Sequence, residues 1–198
     1  MDQLKRFWKF LQEETWQSWI VSLFLLVILI RFIFFPTLSF ITGSSLPLVV
    51  IESCSLYHES SFENWWMSNS GWYTSHSITK SDFSSFPYKN GMNKGDIIFV
   101  WNRGSYNIGE IIIFEPNPDS TAKHPIIHRM ISANPIATKG DHNKDQLTKG
   151  NNPQNIDETS IQKNNIIGKA TFKIPFLGWI KLIFFEPFRP ASDRGFCN

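Results

Sequence analysis

The sequence predicts a mostly β protein, a coiled β-sheet or open barrel, that follows one N-terminal transmembrane helix. Two observations predict this class. An apolar run of membrane-spanning length stands near the amino terminus. Beyond it, short β-branched runs alternate with Gly, Pro and Asn turns and show little helical periodicity. A chain of 198 residues is long enough for one hydrophobic core with an inserted lobe.

The amino-terminal region predicts a membrane anchor in two parts. Residues 1–15 mix basic and apolar side chains, which predicts an amphipathic segment on the cytoplasmic membrane surface. Residues 16–36 predict the transmembrane helix, because at about 1.5 Å per residue the apolar run approaches the hydrocarbon core of about 30 Å. Pro36 marks its expected end. The run is longer than that of a cleaved signal peptide, so a retained anchor is expected.

The distribution of basic residues predicts the orientation of this anchor. Lys and Arg precede the helix, and none follows from Pro36 to Thr79. By the positive-inside rule, the amino terminus is cytoplasmic and residues 37–198 lie on the outer face of the cell membrane. A later apolar run, residues 174–185, is too short for a second span and contains Lys181. The expected localisation is therefore single-pass in the cell membrane, with the lipid bilayer as a partner.

Residues 59–90 predict an inserted lobe, because aromatic side chains there are interspersed with Ser, Asn and Thr without strand periodicity. Two interpretations stay open. The aromatic side chains form a surface that dips into the outer leaflet, since Trp and Tyr favour the interface. Alternatively, they form a small satellite core.

The outer domain, residues 37–198, predicts a succession of short strands. On the strand of residues 125–131, His128 shares one face with Ile126 and Met130. The polar stretch that continues to Asp157 predicts a solvated loop. The expected strands are residues 49–51, 97–101, 110–114, 125–131, 166–170 and 180–185.

Composition excludes several function classes. The formal net charge of +2 and the absence of a Lys/Arg cluster exclude a nucleic-acid surface. No Gly-rich phosphate loop and no His-Glu-x-x-His motif is present, so no metal or cofactor is implied. Cys54 and Cys197 predict neither a disulfide framework nor a metal site. Cys54 is either a nucleophile or, preferably, a small buried filler.

A Ser-x-Ser pair, Ser53 and Ser55, follows the first strand of this domain. A serine at the end of a rigid strand is held in place and can face a cleft. A nucleophilic hydroxyl needs such a position, because free serine is a weak nucleophile and requires an adjacent base. On its own, the pair is better explained as a polar strand end than as a catalytic site.

Five blocks in order resemble type I signal peptidases. They are the strand with Ser-x-Ser, Gly-Asp-Ile-Ile-Phe-Val, Ile-Ile-His-Arg, Thr-Lys-Gly-Asp-x-Asn, and Ile-Ile-Gly-Lys-Ala followed by Ile-Pro-Phe-Leu-Gly-Trp-Ile. The resemblance runs from the membrane helix to about Phe185, with residues 59–90 as an insertion. His128 stands where bacterial relatives carry a lysine base, which makes the chain similar to the archaeal and endoplasmic-reticulum branch. The resemblance implies a signal-peptidase-like sheet and a membrane-bound serine endopeptidase.

The resemblance also implies roles for individual residues. Ser55 would be the nucleophile and His128 the general base and then acid, a role that suits imidazole because its unperturbed pKa lies near neutrality. The Ser53 hydroxyl would form an oxyanion hole with the Ser55 backbone N–H. In two departures from the family, Leu56 replaces the usual Met after the nucleophile and Cys54 replaces the Gly between the serines.

The acid that orients the imidazole is less well defined. Asp141 follows the Gly of the matching block, and Asp145 is the nearest second carboxylate. We expect Asp145 to complete the triad, with Asp141 supporting the site. The spacing is shorter than in the family and a polar insertion follows, so Asp157 stays an alternative.

The implied substrates are the signal peptides of exported preproteins, with small residues at −1 and −3, bound as an added strand at a sheet edge. Translocon components or partner subunits are further expected partners. Two other readings stay open: a catalytically inactive, membrane-anchored binding or assembly subunit, and a protease dedicated to one secreted substrate.

Overall fold

The computed structural model describes residues 2–197, apart from the side chain of Ser192. The chain divides into two compact units, Met1–Thr42 and Gly43–Asn198. In the first unit, helix α1 (Asp2–Leu11) precedes helix α2 (Trp16–Leu29), a π-helical turn (Ile30–Phe34) and helix α3 (Phe35–Thr42).

The helical segment Trp16–Thr42, 27 residues long, is the one helix in the described part of the chain that is long and apolar enough to cross a membrane. It begins at the Thr15 cap, whose hydroxyl accepts from the Ser18 N–H at 3.3 Å. The helix continues past Pro36 to Thr42, so the expected end at Pro36 is wrong. The π-helical turn lies directly before the proline, and Phe35 N–H bonds to the Ile30 carbonyl. This wider turn changes the hydrogen-bond register where a proline would otherwise interrupt it.

The second unit is built on one six-stranded antiparallel sheet, which confirms the predicted β class. Its strands are β1 (Leu48–Val50), β2 (Ile97–Trp101), β3 (Ile111–Phe114), β4 (Ile126–Ala133), β5 (Ile136–Lys139) and β6 (Ile166–Ile174). Their order across the sheet is β1-β2-β6-β3-β4-β5. The register of β6 shifts against both β2 and β3. Such bulges increase local twist and coil the sheet.

A central core forms on this sheet from buried aliphatic side chains of β2 and β3. Ile98, Val100, Ile111 and Ile113 are fully buried. Leu56, from the turn that contains Ser55, packs in the same cluster. The turn is therefore anchored by its apolar residue to the middle of the sheet.

The inserted lobe is helical and forms a satellite core. Helix α4 (Phe62–Ser75) and helix α5 (Lys80–Ser85) bring together the buried side chains of Phe62, Trp65, Trp66, Tyr73, Ile78 and Phe83. Helix α5 begins with a capping box between Thr79 and Asp82. The burial of these rings supports the satellite-core interpretation over an aromatic surface for the membrane.

The carboxy-terminal segment differs from the prediction in two ways. Residues 180–185, expected as a strand, lie in helix α6 (Trp179–Phe185). A short apolar run fits a strand or a helix equally well, and β6 already extends to Ile174. The two cysteines, for which no disulfide framework was expected, are also bonded to each other, with their Cα atoms 5.6 Å apart, so the interpretation of Cys54 as a small buried filler is wrong.

Candidate active site

The Ser-x-Ser pair lies in a turn that follows β1. The extended backbone continues to Ile51, which accepts from Gly95 N–H at 2.8 Å and donates to the Asp96 carbonyl at 2.9 Å. Ser53 is exposed and Ser55 half-buried, and their hydroxyl oxygens are 3.2 Å apart. The turn therefore presents both hydroxyls at the surface of a well-packed sheet.

His128 is placed by β4, an internal strand of the sheet. It lies on β4 directly opposite Ile112 of β3, and its side chain is almost completely buried. Its Nδ1 atom forms a very short hydrogen bond with the Glu158 carboxylate. Antiparallel pairing on both sides of β4 fixes the backbone that carries the imidazole.

Glu158 is fully buried and has partners for both carboxylate oxygens. The Thr138 hydroxyl donates to Oε2 at 2.9 Å, and the Leu147 N–H donates to Oε1 at 2.8 Å. The Glu158 backbone also bonds Thr138 and Leu147. A buried polar group is costly unless it has such hydrogen-bond partners. The carboxylate is thus held in one position against His128.

Gly140 is the point where Ser55 and His128 come together. A Cβ atom added to Gly140 would lie 2.8 Å from His128 Nε2 and 2.9 Å from the Ser55 carbonyl oxygen. The residue after next, His142, donates its backbone N–H to the Ser55 carbonyl at 2.8 Å. Within residues 2–197, no hydrogen bond joins the Ser55 hydroxyl to His128. Such bonds are often long in enzymes without substrate and shorten in the complex.

Asp141 lies beside this contact but belongs to a separate buried network. It receives two donors from Arg129, at 2.7 and 2.9 Å, one from His58 Nε2 at 3.0 Å and one from the Tyr73 hydroxyl at 3.1 Å. Burial by itself raises the pKa of Asp141. The Arg129 guanidinium and the His58 hydrogen bond outweigh it and hold the pKa well below its usual range. The carboxylate therefore stays ionised and fixes the turn after β5.

The inserted lobe contributes directly to the Asp141 network. His58 stacks on Trp65 with ring centroids 3.8 Å apart and planes within 5°. Tyr73, which donates to Asp141, is completely buried, and burial raises its pKa well above the usual value. The lobe thus supports the turn against which Ser55 and His128 pack.

Lys139 holds the same turn from its other side. Its Nζ atom donates to the carbonyl of Gly140 at 3.0 Å and to that of Asn143 at 2.5 Å. The same atom lies 5.0 Å from the ring centroid of Trp72 and 5.1 Å from that of Tyr73. Desolvation lowers the pKa of this buried lysine. None of its described hydrogen bonds reaches Ser55, so Lys139 acts on the backbone of the turn.

The structure does not bring Asp145 to the imidazole. Asp145 is exposed and accepts from Trp72 Nε1 at 2.8 Å and the Gln146 N–H at 2.7 Å. These two hydrogen bonds lower its pKa. Asp157, the alternative acid, accepts from the backbone and the hydroxyl of Thr159.

The carboxylate on His128 is Glu158, which the sequence interpretation missed. It stands at the end of a long polar loop, where no periodicity indicates which side chains turn inward. The one available signal is its position directly after Asp157, an acidic residue that was itself considered. No group of three or more His, Cys, Asp or Glu able to hold a metal ion occurs among the described residues.

These features define a membrane-anchored protein with a serine and a histidine brought together on a coiled antiparallel sheet. No family model matches the chain. It is similar to the signal peptidase complex catalytic subunit SEC11 of Candida albicans, with 26% identity over 168 residues, 78% of this chain and 75% of the relative.

Two further relatives carry the same description. The protein of Colletotrichum graminicola is 30% identical over 103 residues, 47% of this chain and 56% of the relative. That of Pyricularia oryzae is 30% identical over 102 residues, with the same shares of the two chains. The relatives confirm the predicted resemblance to the endoplasmic-reticulum branch of type I signal peptidases.

Proposed function

We propose that this protein is a membrane-anchored serine endopeptidase that cleaves signal peptides from exported preproteins. The observation that carries the proposal is the His128–Glu158 pair, which lies against Gly140 next to the Ser55 backbone. Relatives described as signal peptidase catalytic subunits support the same activity.

In the proposed reaction, the Ser55 hydroxyl attacks the scissile carbonyl while His128 Nε2 accepts its proton. The imidazolium then donates this proton to the leaving amine, and an acyl-enzyme forms on Ser55. Water, deprotonated by His128, attacks the acyl-enzyme, and the imidazolium then returns this proton to the Ser55 oxygen as the new carboxylate end leaves. The histidine therefore acts as a base and then as an acid in each of the two half-reactions.

Glu158 is the proposed positioning residue of this triad. Its bond to Nδ1 keeps the second nitrogen, Nε2, free for the proton of Ser55 and stabilises the imidazolium that forms. The donors from Thr138 and Leu147 prevent the carboxylate from rotating away. Asp141 is proposed to support the site, because its partners fix the turn at Gly140 and not the imidazole.

The oxyanion of the tetrahedral intermediate is assigned to the Ser53 hydroxyl and the Ser55 backbone N–H. The position of the Ser53 hydroxyl, 3.2 Å from the nucleophilic oxygen, supports this assignment. Donors that are fixed before the reaction stabilise charge that develops only in the transition state.

The preprotein would bind as an added strand at an edge of the sheet, with small residues at −1 and −3 packed against it. The two edges of the sheet are β1 and β5, and Ser55 follows β1 along the chain. Partner subunits are expected, because the relatives are described as subunits of a complex. The domain would lie on the outer, oxidising face of the membrane, an orientation that the Cys54–Cys197 disulfide supports.

The test uses the full-length chain, purified in detergent with any subunits that copurify, and several preproteins with different signal peptides. We expect one new amino terminus in each product, directly after a small residue. Ser55→Ala, prepared identically, is the control for contaminating proteases. Failure to cleave any preprotein would favour an inactive binding or assembly subunit. Cleavage of a single preprotein would favour a dedicated maturation protease.

A further inference from the structure

The backbone just before the nucleophile is held by the far end of the chain. The Arg189 guanidinium donates to the Glu52 carbonyl at 3.0 Å and to the Glu52 carboxylate at 2.5 Å. Lys181 of α6 donates to the other carboxylate oxygen at 2.9 Å. Burial raises the pKa of Glu52, but the two cations outweigh it and lower the pKa overall. Glu52 is therefore an ionised attachment point three residues before Ser55.

A covalent bond adds a second attachment inside the Ser-x-Ser pair itself. Cys54 lies between Ser53 and Ser55 and is bonded to Cys197, 143 residues later in the chain. The backbone on the other side of Ser55 is fixed separately, because the Leu56 carbonyl accepts from Met92 N–H at 2.9 Å. The nucleophile is thus held between the loop that precedes β2 on one side and the carboxy-terminal segment on the other.

The carboxy-terminal segment, residues 179–197, is itself firmly attached to the domain. Lys94 is buried and reaches both the Glu186 carboxylate at 2.8 Å and the Asp193 carbonyl at 2.6 Å. Trp179 donates to the Lys94 carbonyl at 3.1 Å and packs against Phe196 with ring centroids 4.4 Å apart. Because this segment is itself fixed, its contacts hold Cys54 and Glu52 in one position.

We propose that the carboxy-terminal segment is a positioning element of the active site, and that reduction of the Cys54–Cys197 disulfide lowers turnover by releasing the turn that carries Ser55. The inference rests on the proposed function. Its physical reason is that a misplacement of a reacting group by about 1 Å costs up to about 10²-fold in rate. His128 lies on the sheet and Glu158 is hydrogen-bonded to Thr138 and Leu147, so release of the turn changes the distance from Ser55 to His128 and not the position of the imidazole.

The experiment compares oxidised and reduced full-length protein in detergent on one preprotein. Dithiothreitol supplies two electrons, breaks the disulfide into the thiols of Cys54 and Cys197, and leaves as its cyclic disulfide. We expect kcat to fall on the order of 10-fold, with KM little changed, and to recover on reoxidation. Cys197→Ser should show the low kcat without reductant and no response to it.

A second readout does not depend on activity. Amide hydrogen exchange of residues 52–56 should become faster on reduction, while exchange on β3 and β4 stays slow. An active enzyme whose two thiols titrate fully after reduction, with kcat and exchange both unchanged, would overturn the inference. An oxidised protein that cleaves no preprotein but shows the exchange response would contradict the proposed function and leave the positioning element in place.

Arg189 provides an independent variant that leaves the disulfide intact. Arg189→Ala should lower kcat severalfold, and Arg189→Lys should restore part of it, because lysine keeps the charge but not the two-pronged geometry. Lys149→Ala, which removes an exposed ion pair with Asp119 at 2.6 Å, is the matched control and should leave kcat unchanged. Equal kcat values for Arg189→Ala and Lys149→Ala would contradict the proposal.

Discussion

The two halves of the proposed active site are held in opposite ways. His128 lies on β4, an internal strand of the sheet, and its partner Glu158 is a fully buried carboxylate with further hydrogen bonds of its own. Ser55 lies in an irregular, half-exposed turn that is fixed by contacts with distant parts of the chain. Burial in the domain positions His128, whereas a disulfide and hydrogen bonds to the carboxy-terminal segment position Ser55. The two halves should therefore respond differently to mutation and to solvent conditions.

The largest expected effect is on the reacting atoms themselves. Ser55→Ala and His128→Ala should each lower kcat by roughly 10⁴- to 10⁶-fold without unfolding the protein, because the two groups act as a unit. The double variant should lose little more than either single variant. Single-turnover cleavage of a preprotein measures the residual rate, and circular dichroism checks the fold.

Substantial turnover by Ser55→Ala would contradict the proposal that the Ser55 hydroxyl is the nucleophile. Cys54 is in a disulfide, so the alternative that this cysteine is the nucleophile would require prior reduction. Activity of Ser55→Ala that appears only with reductant would point to Cys54, and activity without reductant would point to another nucleophile.

The next effect distinguishes the buried acid from the exposed one. Glu158→Gln should lower kcat by up to about 10⁴-fold, because the amide removes the charge and favours the wrong tautomer of His128. Asp145→Asn should change kcat less than about threefold, since this carboxylate bonds Trp72 and Gln146 at the surface. Pre-steady-state cleavage rates for the two variants, measured side by side, make the comparison.

A reversed order, with Asp145→Asn more damaging than Glu158→Gln, would mean that the polar loop rearranges when substrate binds. Asp157→Asn serves as an additional control beside Glu158, because its carboxylate bonds Thr159 and not the imidazole. It should keep nearly all of the turnover.

Part of this architecture could be predicted from the sequence, because it depends on the pattern of apolar and polar residues within short segments. Ser55 and His128 stand in or after β-branched runs whose alternation shows strand position and face, and the ordered blocks give them a family context. The antiparallel sheet follows from the same runs. Pattern also predicted the membrane helix, although not that it would pass Pro36.

The remaining features depend on contacts between residues far apart in sequence. Glu158 reaches His128 from a loop without periodicity, 30 residues away, and the disulfide joins positions separated by 143 residues. Neither kind of contact leaves a periodic signal. Helix α6 was mistaken for a strand because its short apolar run satisfies both patterns.

A smaller effect, on stability, separates buried from exposed ion pairs. Asp141→Asn leaves the fully buried Arg129 without its charge partner and should lower the free energy of unfolding by about 3–5 kcal/mol. Asp119→Asn, which removes an exposed pair with Lys149, should leave the free energy of unfolding nearly unchanged. Urea unfolding of residues 43–198 in the full-length protein, followed by tryptophan fluorescence, gives both values. Equal costs would show that the Asp141 network contributes no more than a surface pair.

The smallest expected effect is the acid dependence of that same network. The pKa of Asp141 in the folded protein lies well below its ordinary value of 3.8, because the Arg129 and His58 contacts outweigh the effect of burial. The carboxylate therefore stabilises the fold fully above about pH 3.8, and this contribution is lost as the pH falls from there through the folded-state pKa. Between pH 5 and pH 3, the free energy of unfolding of the wild type should decline more steeply than that of Asp141→Asn, which lacks this titrating group. Parallel declines would mean that other carboxylates, such as Glu52 at the tethered turn, account for the acid sensitivity, and Glu52→Gln measured in the same way would then show the shallower curve.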